Sequence, residues 1–171
     1  SINAAPMFAE NGDFDGMIAT IEDITEHIKN VDKLYLMKNA VKSSINAIAI
    51  TNLDGYLTYV NPACLEIWGY ENKEEVLGRH VSEFWQNVEN VSKVLQYLHE
   101  NGSWEGQGNA IKKDGSIINI YGSINLVADE LGNPVATMGS FIDITDKVEK
   151  TKRLKESEER FRALHEASFG G

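Results

Sequence analysis

The chain has 171 residues, 42% hydrophobic and 25% charged, with 26 Asp and Glu against 16 Lys and Arg for a formal charge of -10. That length allows one domain with flanks or two very small ones, and the apolar fraction is ordinary for a folded core. The acidic balance argues against nucleic acid or an anionic membrane surface as partner, a single Cys excludes an intramolecular disulfide, and the four dispersed histidines show no zinc spacing.

A lone thiol, Cys64, fits a reducing, cytoplasmic setting. The longest apolar run, Ile45 to Ile50 with Asn46 inside it, is far short of the ~20 residues that a membrane-spanning helix needs. No signal peptide or anchor is visible, although a parent protein can still be membrane-attached.

From the N-terminus, Glu10-Asn11-Gly12-Asp13 precedes Asp23-Ile24-Thr25-Glu26, and the same layout returns as Glu130-Leu131-Gly132-Asn133 before Asp143-Ile144-Thr145-Asp146. Positions 12 and 132, like 23 and 143, are 120 apart. A second echo joins Lys38-Asn39-Ala40-Val41-Lys42-Ser43-Ser44 to Arg162-Ala163-Leu164-His165-Glu166-Ala167-Ser168 at 124. A repeating module follows. Residues 1–25 read as the last hairpin of one copy, 26–44 as a linker helix, 45–146 as a complete copy, and 147–171 as a linker helix with the start of another.

The two linkers carry apolar residues at helical steps: Ile24, Ile28, Val31, Leu34, Val41 and Ile45 in the first, Ile144, Val148, Thr151, Leu154, Phe161 and Leu164 in the second. Lys, Glu and Asp fill the rest, so each reads as an amphipathic helix with a narrow apolar seam. Such a seam either pairs with another helix or lies on its own domain.

Within the complete copy, Ala47–Leu53 and Tyr56–Val60 read as a hairpin across Asp54-Gly55, where positive φ is tolerated. Asn61-Pro62 starts a short helix that Gly69 closes. Asn72 with Glu75 three residues on starts a second, ending at Gly78. Val91, Val94, Leu95 and Leu98 form one face of a longer helix that Gly102 ends. Strands are then expected over Trp104–Ile111, Ile117–Val127 and Val135–Ile144, and in the middle one Ile118, Ile120, Ile124 and Leu126 alternate with Asn119, Tyr121, Ser123 and Asn125.

Together, Asp54-Gly55 before Tyr59-Val60-Asn61-Pro62-Ala63, then Trp68-Gly69-Tyr70, Leu77-Gly78-Arg79, Gly102-Ser103-Trp104-Glu105-Gly106, Lys113-Asp114-Gly115-Ser116 and Asp143-Ile144-Thr145-Asp146 resemble a PAS domain with its C-terminal PAC motif. The resemblance covers the whole middle copy. Glu158-Glu159-Arg160-Phe161-Arg162-Ala163-Leu164 is similar to the opening of a further unit. It implies an α+β fold: a five-stranded antiparallel sheet with short helices on one face around a pocket, flanked by amphipathic signalling helices. It also implies a sensory, non-catalytic module from a multi-PAS signalling protein, relaying a ligand, cofactor or partner signal to an output. A histidine kinase is the expected output, with a diguanylate cyclase as one alternative and a ligand-free dimerisation or spacer module as another.

Candidate pocket residues, from their placement on facing elements, are Ile50, Val60, Trp68, Phe84, Leu95, Ile120 and Met138, and the candidate signal relay is Asp143, Ile144 and Thr145, with Asp143 capping the following helix. Trp68, Phe84, Trp85 and Trp104 either stack on a planar ligand or belong to core and rim. The light-oxygen-voltage branch of the family uses a Cys near the Gly-Arg motif. Here Gly78-Arg79 is followed by His80 to Gln86 without one, so no covalent flavin is expected and Cys64 reads as a small buried side chain. Among the histidines His99 stands ahead of His80 as a haem ligand, and the competing reading, which its place at the helix end beside Glu100 and Asn101 suits better, is a solvated His on the helix dipole. A kinase phosphoacceptor at His165 would ask for Pro where Gly170 stands, and Gly170-Gly171 is no cyclase signature. No nucleophile, base and orienting group cluster, and no metal site is expected. The expected partners are a second copy through the flanking helices, a small-molecule ligand, and neighbouring PAS and output domains.

Overall fold

Alternating strands joined by Gly-containing turns, each followed by an Asp-capped helix, build both ends of this chain. The computed structural model describes residues 2–169; Gly170 and Gly171 lie outside the described residues. Two units are distinguished, Ser1–Val41 and Lys42–Gly171.

In the first unit, β1 (Ile2–Phe8) pairs antiparallel with β2 (Phe14–Ile21), and α1 (Thr25–Lys42) follows. The Asp23 carboxylate accepts the Thr25 amide at 2.9 Å and so caps α1. Both faces of this hairpin carry exposed apolar side chains, Ile2, Met17 and Ile21 on one and Ile18 on the other. The expected narrow seam on α1 is not what forms. Ile24 and Ile45 fall outside the helix, and Leu34, Tyr35, Leu36 and Met37, four consecutive and exposed residues, spread apolar surface around most of the helix circumference.

The second unit runs β3 (Ala47–Thr51), β4 (Leu57–Val60), α2 (Pro62–Trp68), single 3₁₀ turns at Lys73–Glu75 and Val81–Phe84, α3 (Val88–Asn101), β5 (Ser103–Ile111), β6 (Ile117–Ala128), β7 (Pro134–Asp143) and α4 (Thr145–Phe169). The five strands form one antiparallel sheet in the order β4-β3-β7-β6-β5. The helical segments between β4 and β5 cover one face. The expected fold class is the one found.

Local chemistry explains the boundaries. Asn61 accepts the Cys64 amide at 3.0 Å, Pro62 opens α2, and Gly69 closes it in the left-handed region at φ 75°. β3 stops two residues earlier than its apolar run, because Asn52 pairs with Tyr56 through both its backbone (3.0 Å) and its side chain (2.9 Å), widening the turn beyond Asp54-Gly55. Gly55, at φ 84°, lies so close to His80 that a Cβ would sit 2.7 Å from Nε2. The expected second helix reduces to one 3₁₀ turn. Glu75 does accept the Asn72 amide at 3.2 Å, but the chain then turns to bury Val76 and to pair Gly78 and Arg79 with Leu57.

The sequence repeat is also a repeat of hydrogen bonds. In the first turn Ala9 N–H meets Asp13 O and Gly12 N–H meets Ala9 O; 120 residues on, Asp129 meets Asn133 and Gly132 meets Asp129. The strand registers match, Ile2↔Ile21 to Met7↔Gly16 and Gly122↔Phe141 to Val127↔Ala136, and each has its irregularity at the equivalent step, Met7/Phe8 and Val127/Ala128. The capping bond of Thr25 to Asp23 recurs as Thr145 to Asp143 at 2.8 Å.

Candidate functional site

The inner sheet face combines small residues with aromatic rings. Strand pairing places Ala49 and Thr51 of β3, Thr137, Gly139 and Phe141 of β7, Gly122 and Ile124 of β6 and Trp104, Gly106 and Gly108 of β5 on the same side. A Cβ on Gly108 would sit 2.3 Å from the Trp85 ring, and one on Gly139 2.5 Å from Phe141. The glycines are the space the rings occupy. Trp68, Phe141, Trp85 and Trp104 form an edge-to-face chain with centroids 6.0, 6.0 and 6.3 Å apart.

Between this face and the helices lies a cavity of about 90 Å³. Its wall includes Ala49, Thr51, Val60, Cys64, Trp68, Phe84, Trp85, Leu95, Thr137, Gly139 and Phe141, and no Asp, Glu, Lys, Arg or His among the described residues. Burial without a partner charge pushes the Cys64 thiol up to about 12, so it stays protonated. Thr51 Oγ1 donates to the Asn52 carbonyl at 2.8 Å, so in the 2.6 Å contact with Thr137 the Thr137 hydroxyl is the donor. Trp68 is 6% exposed, and its Nε1–H has no hydrogen-bond partner among the described residues. Trp85 and Val94 belong both to this wall and to an outer polar groove that includes Lys93, Trp104, Gln107 and Asn109.

Of the residues expected in the pocket, Val60, Trp68, Phe84 and Leu95 line it, whereas Ile50, Ile120 and Met138 do not. Ile50 pairs with Met138 in register, one residue off the inward pair Thr51↔Thr137, so both point to the opposite face. Ile120 is on the inner face but packs into the core cluster with Ala110 and Ile118. Sequence reasoning missed the threonine pair and the glycine platform, although the alternation Trp104-Glu-Gly-Gln-Gly-Asn-Ala110 carries a period-two signal of small inward residues. It also gave Asn61 only a capping role. Fully buried Asn61 accepts the Ile48 amide at 2.8 Å and donates to the Asn46 carbonyl at 2.9 Å as well, fastening α2 to β3.

The relay candidates sit where β7 becomes α4. Ile144 N–H donates to Asn119 O at 2.8 Å, and Asn119 N–H donates to Thr145 Oγ1 at 2.9 Å, so β6 clips the helix start that Asp143 caps. Only Ile142 separates the wall residue Phe141 from that cap.

The cofactors associated with such folds do not fit these residues. An engineered cavity of ~150 Å³ holds a single benzene, so about 90 Å³ is too small for a tricyclic flavin or a haem. His99 is exposed near the end of α3 and is not on the wall. Among the described residues there is no His, Cys, Asp and Glu cluster of metal-binding kind, and no helix is long and apolar enough to cross a membrane.

A family model described as PAS domain matches residues 45–146. No curated protein sequence matches significantly. Among solved structures, a PAS domain from Colwellia psychrerythraea is 26% identical with a TM-score of 0.63, over 67% of this chain and 99% of that one. An RNA-binding light-oxygen-voltage receptor is 18% identical with a TM-score of 0.67, over 96% of this chain and 44% of that one. A PAS domain from a two-component sensor histidine kinase is 13% identical with a TM-score of 0.55, over 70% and 99%.

Proposed function

This chain belongs to the PAS domain family, and we propose that its complete unit is a non-catalytic sensor whose cavity, when occupied, alters the start of α4. The observation that carries this reading is that one strand does two jobs. β7 contributes Thr137, Gly139 and Phe141 to the cavity wall and ends in Asp143, whose carboxylate holds the first turn of α4. An occupant that favours one sheet geometry over another shifts the junction's population by its differential affinity and no more.

The repeat extends the proposal. The β1–β2 hairpin reproduces the register, turn bonds and helix cap of β6–β7, so we read 1–25 as the last hairpin of a preceding PAS unit, 26–44 as its outgoing helix, and 147–171 as a linker helix entering a following unit. A lone two-stranded ribbon is marginal in water, which fits a hairpin whose remaining strands lie upstream. Exposed Leu154, Phe161 and Leu164 on α4, with Tyr35, Leu36 and Met37 on α1, suit pairing with a second copy. We assign the output to a histidine kinase, with a diguanylate cyclase as the other output class.

Thermal unfolding against a panel of compact neutral molecules tests the sensor. A ligand that binds only the folded state raises the midpoint with concentration. The reading predicts such shifts with some members of the panel and a colourless protein. A flat response across the panel favours the second reading, a ligand-free dimerisation or spacer module, which the small cavity volume supports.

A further inference from the structure

The sheet ends in β4 on one side and β5 on the other, and the two outer edges are used differently. On β4, Leu57 accepts from the Gly78 N–H and donates to the Arg79 carbonyl. On β5 the pairing stops part-way. Gln86 N–H donates to Asn109 O at 3.0 Å and Trp85 bridges Ala110, after which the chain leaves the edge and enters α3. Alternate residues of an antiparallel strand turn their main-chain groups to the same edge, so the outward Asn109 places the N–H and C=O of Gln107 and Glu105 outward as well. No hydrogen bond among the described residues reaches those groups. Folded proteins blunt such edges with proline, lysine or a bulge. β5 contains neither residue, and its pairing with β6 runs without a register shift.

A groove follows this open edge. Trp85, Gln107 and Asn109 lie along one stretch and Glu105 along the next, and both stretches include Lys93, Val94 and Trp104. The Trp104 ring lies back over Gly106, where a Cβ would sit 2.7 Å from it, so an apolar flank runs beside the outward main chain. Glu105, whose carboxylate accepts from the Tyr121 hydroxyl, stands on the opposite face of β5 from Trp104. On the helix side Lys93 and Glu89 offset each other, which leaves Glu105 to set the charge preference.

These features together specify an occupant. Outward amides and carbonyls spaced along an edge are matched by another main chain, as the Trp85–Gln86 segment already matches their neighbours. Apolar surface on one face and a carboxylate on the other ask for alternating apolar and basic side chains, and the formal charge of -10 disfavours an acidic segment. We propose that the open edge of β5 docks an extended segment of a partner protein, with alternating apolar and basic residues, as a further strand. The edge from Glu105 to Asn109 spans about 14 Å, room for roughly four or five residues. A second copy of β5 fits less well, because it brings a second Glu105 to the same face. Docking at this edge does not depend on the cavity being occupied.

The hexapeptide acetyl-KVKVKV-amide, titrated into the ¹⁵N-labelled 171-residue chain and followed by NMR, tests this, with acetyl-EVEVEV-amide as the comparison. The basic peptide is expected to bind saturably and to slow exchange of the Glu105 and Gln107 amides about tenfold or more. The acidic peptide is expected to bind at least about fivefold more weakly. Gln107→Pro removes one outward N–H and leaves the bonds to β6 in place, since an edge strand accepts proline where its N–H faces solvent. It is expected to weaken the basic peptide about tenfold. Glu105→Lys is expected to cut the preference for the basic peptide about threefold or more, and it decides the matter with the amide exchange should Gln107→Pro not fold. The proposal is overturned by absence of binding, by equal binding of both peptides, or by binding that leaves the two amides unprotected. Affinity unchanged in Gln107→Pro, or a preference unchanged in Glu105→Lys, overturns it too. So does protection that rises with protein concentration before any peptide is added, the mark of a second copy on this edge.

Discussion

Single side chains here hold backbone that the ladders leave unpaired. Asn61, 0% exposed, satisfies the amides of Ile48 and Cys64 and the carbonyl of Asn46. Asn61→Ala strands all three, and we expect a loss of about 2–4 kcal/mol in denaturant unfolding, larger than for Asn61→Asp, which retains the two acceptor bonds at the expense of a buried charge. Thr51→Val and Thr137→Val should each lose about 1 kcal/mol, and the double variant less than the sum, because both remove one shared bond. Asp23, Asp114 and Asp129 are held below the usual aspartate range, by hydrogen bonds from the Thr25 side chain and amide, the Ser116 side chain and amide, and the Asn133 amide and side chain respectively. Their folded values are depressed, so the stabilisation is present above the unfolded aspartate pKa and disappears as pH falls through the folded one. Amide resonances of Thr25, Ser116 and Asn133 should titrate with midpoints below that of an unstructured Asp; ordinary midpoints would show that these bonds do not form in solution.

At the level of elements, the junction between β7 and α4 is the part whose failure should be most local. Asp143→Ala removes the bond to the Thr145 amide and is expected to lose about 1 kcal/mol, with faster amide exchange confined to the first turn of α4. This junction was legible because Asp-Ile-Thr follows a strand at both repeat positions. Strands β5 to β7 and helix α3 were legible too, through alternation and through Val91, Val94, Leu95 and Leu98. Which face of β3 looks inward was not. Ile48 and Ile50 are more apolar than Ala47, Ala49 and Thr51, yet the smaller set faces the helices, because aromatic rings already fill the interior there. A one-residue choice of parity therefore put Ile50 and Met138 on the wrong side. The seam expected on the first linker misled for a related reason. Apolar residues of α1 are spread around the helix, and without a partner in the structure their spacing alone does not select a face.

For the chain as a whole, the hydrogen bonds recurring 120 residues apart give the sequence repeat a physical form. Exposed apolar residues on both linker helices lead us to expect a dimer in light scattering across a concentration series; a monomer at the highest concentration would contradict the helix-pairing proposal. The scaffold that carries the family pattern does not name a stimulus, so none was legible in the sequence. The central claim is that filling the cavity acts on the start of α4. Xenon occupies small apolar cavities without hydrogen-bonding chemistry of its own, and amide NMR of the chain under xenon pressure follows every residue along β7 at once. We predict shift changes at Gly139 and Phe141 that continue through Ile144, Thr145 and Val148. Changes that stop at the cavity wall, with those three amides unmoved while Gly139 and Phe141 respond, would contradict the account.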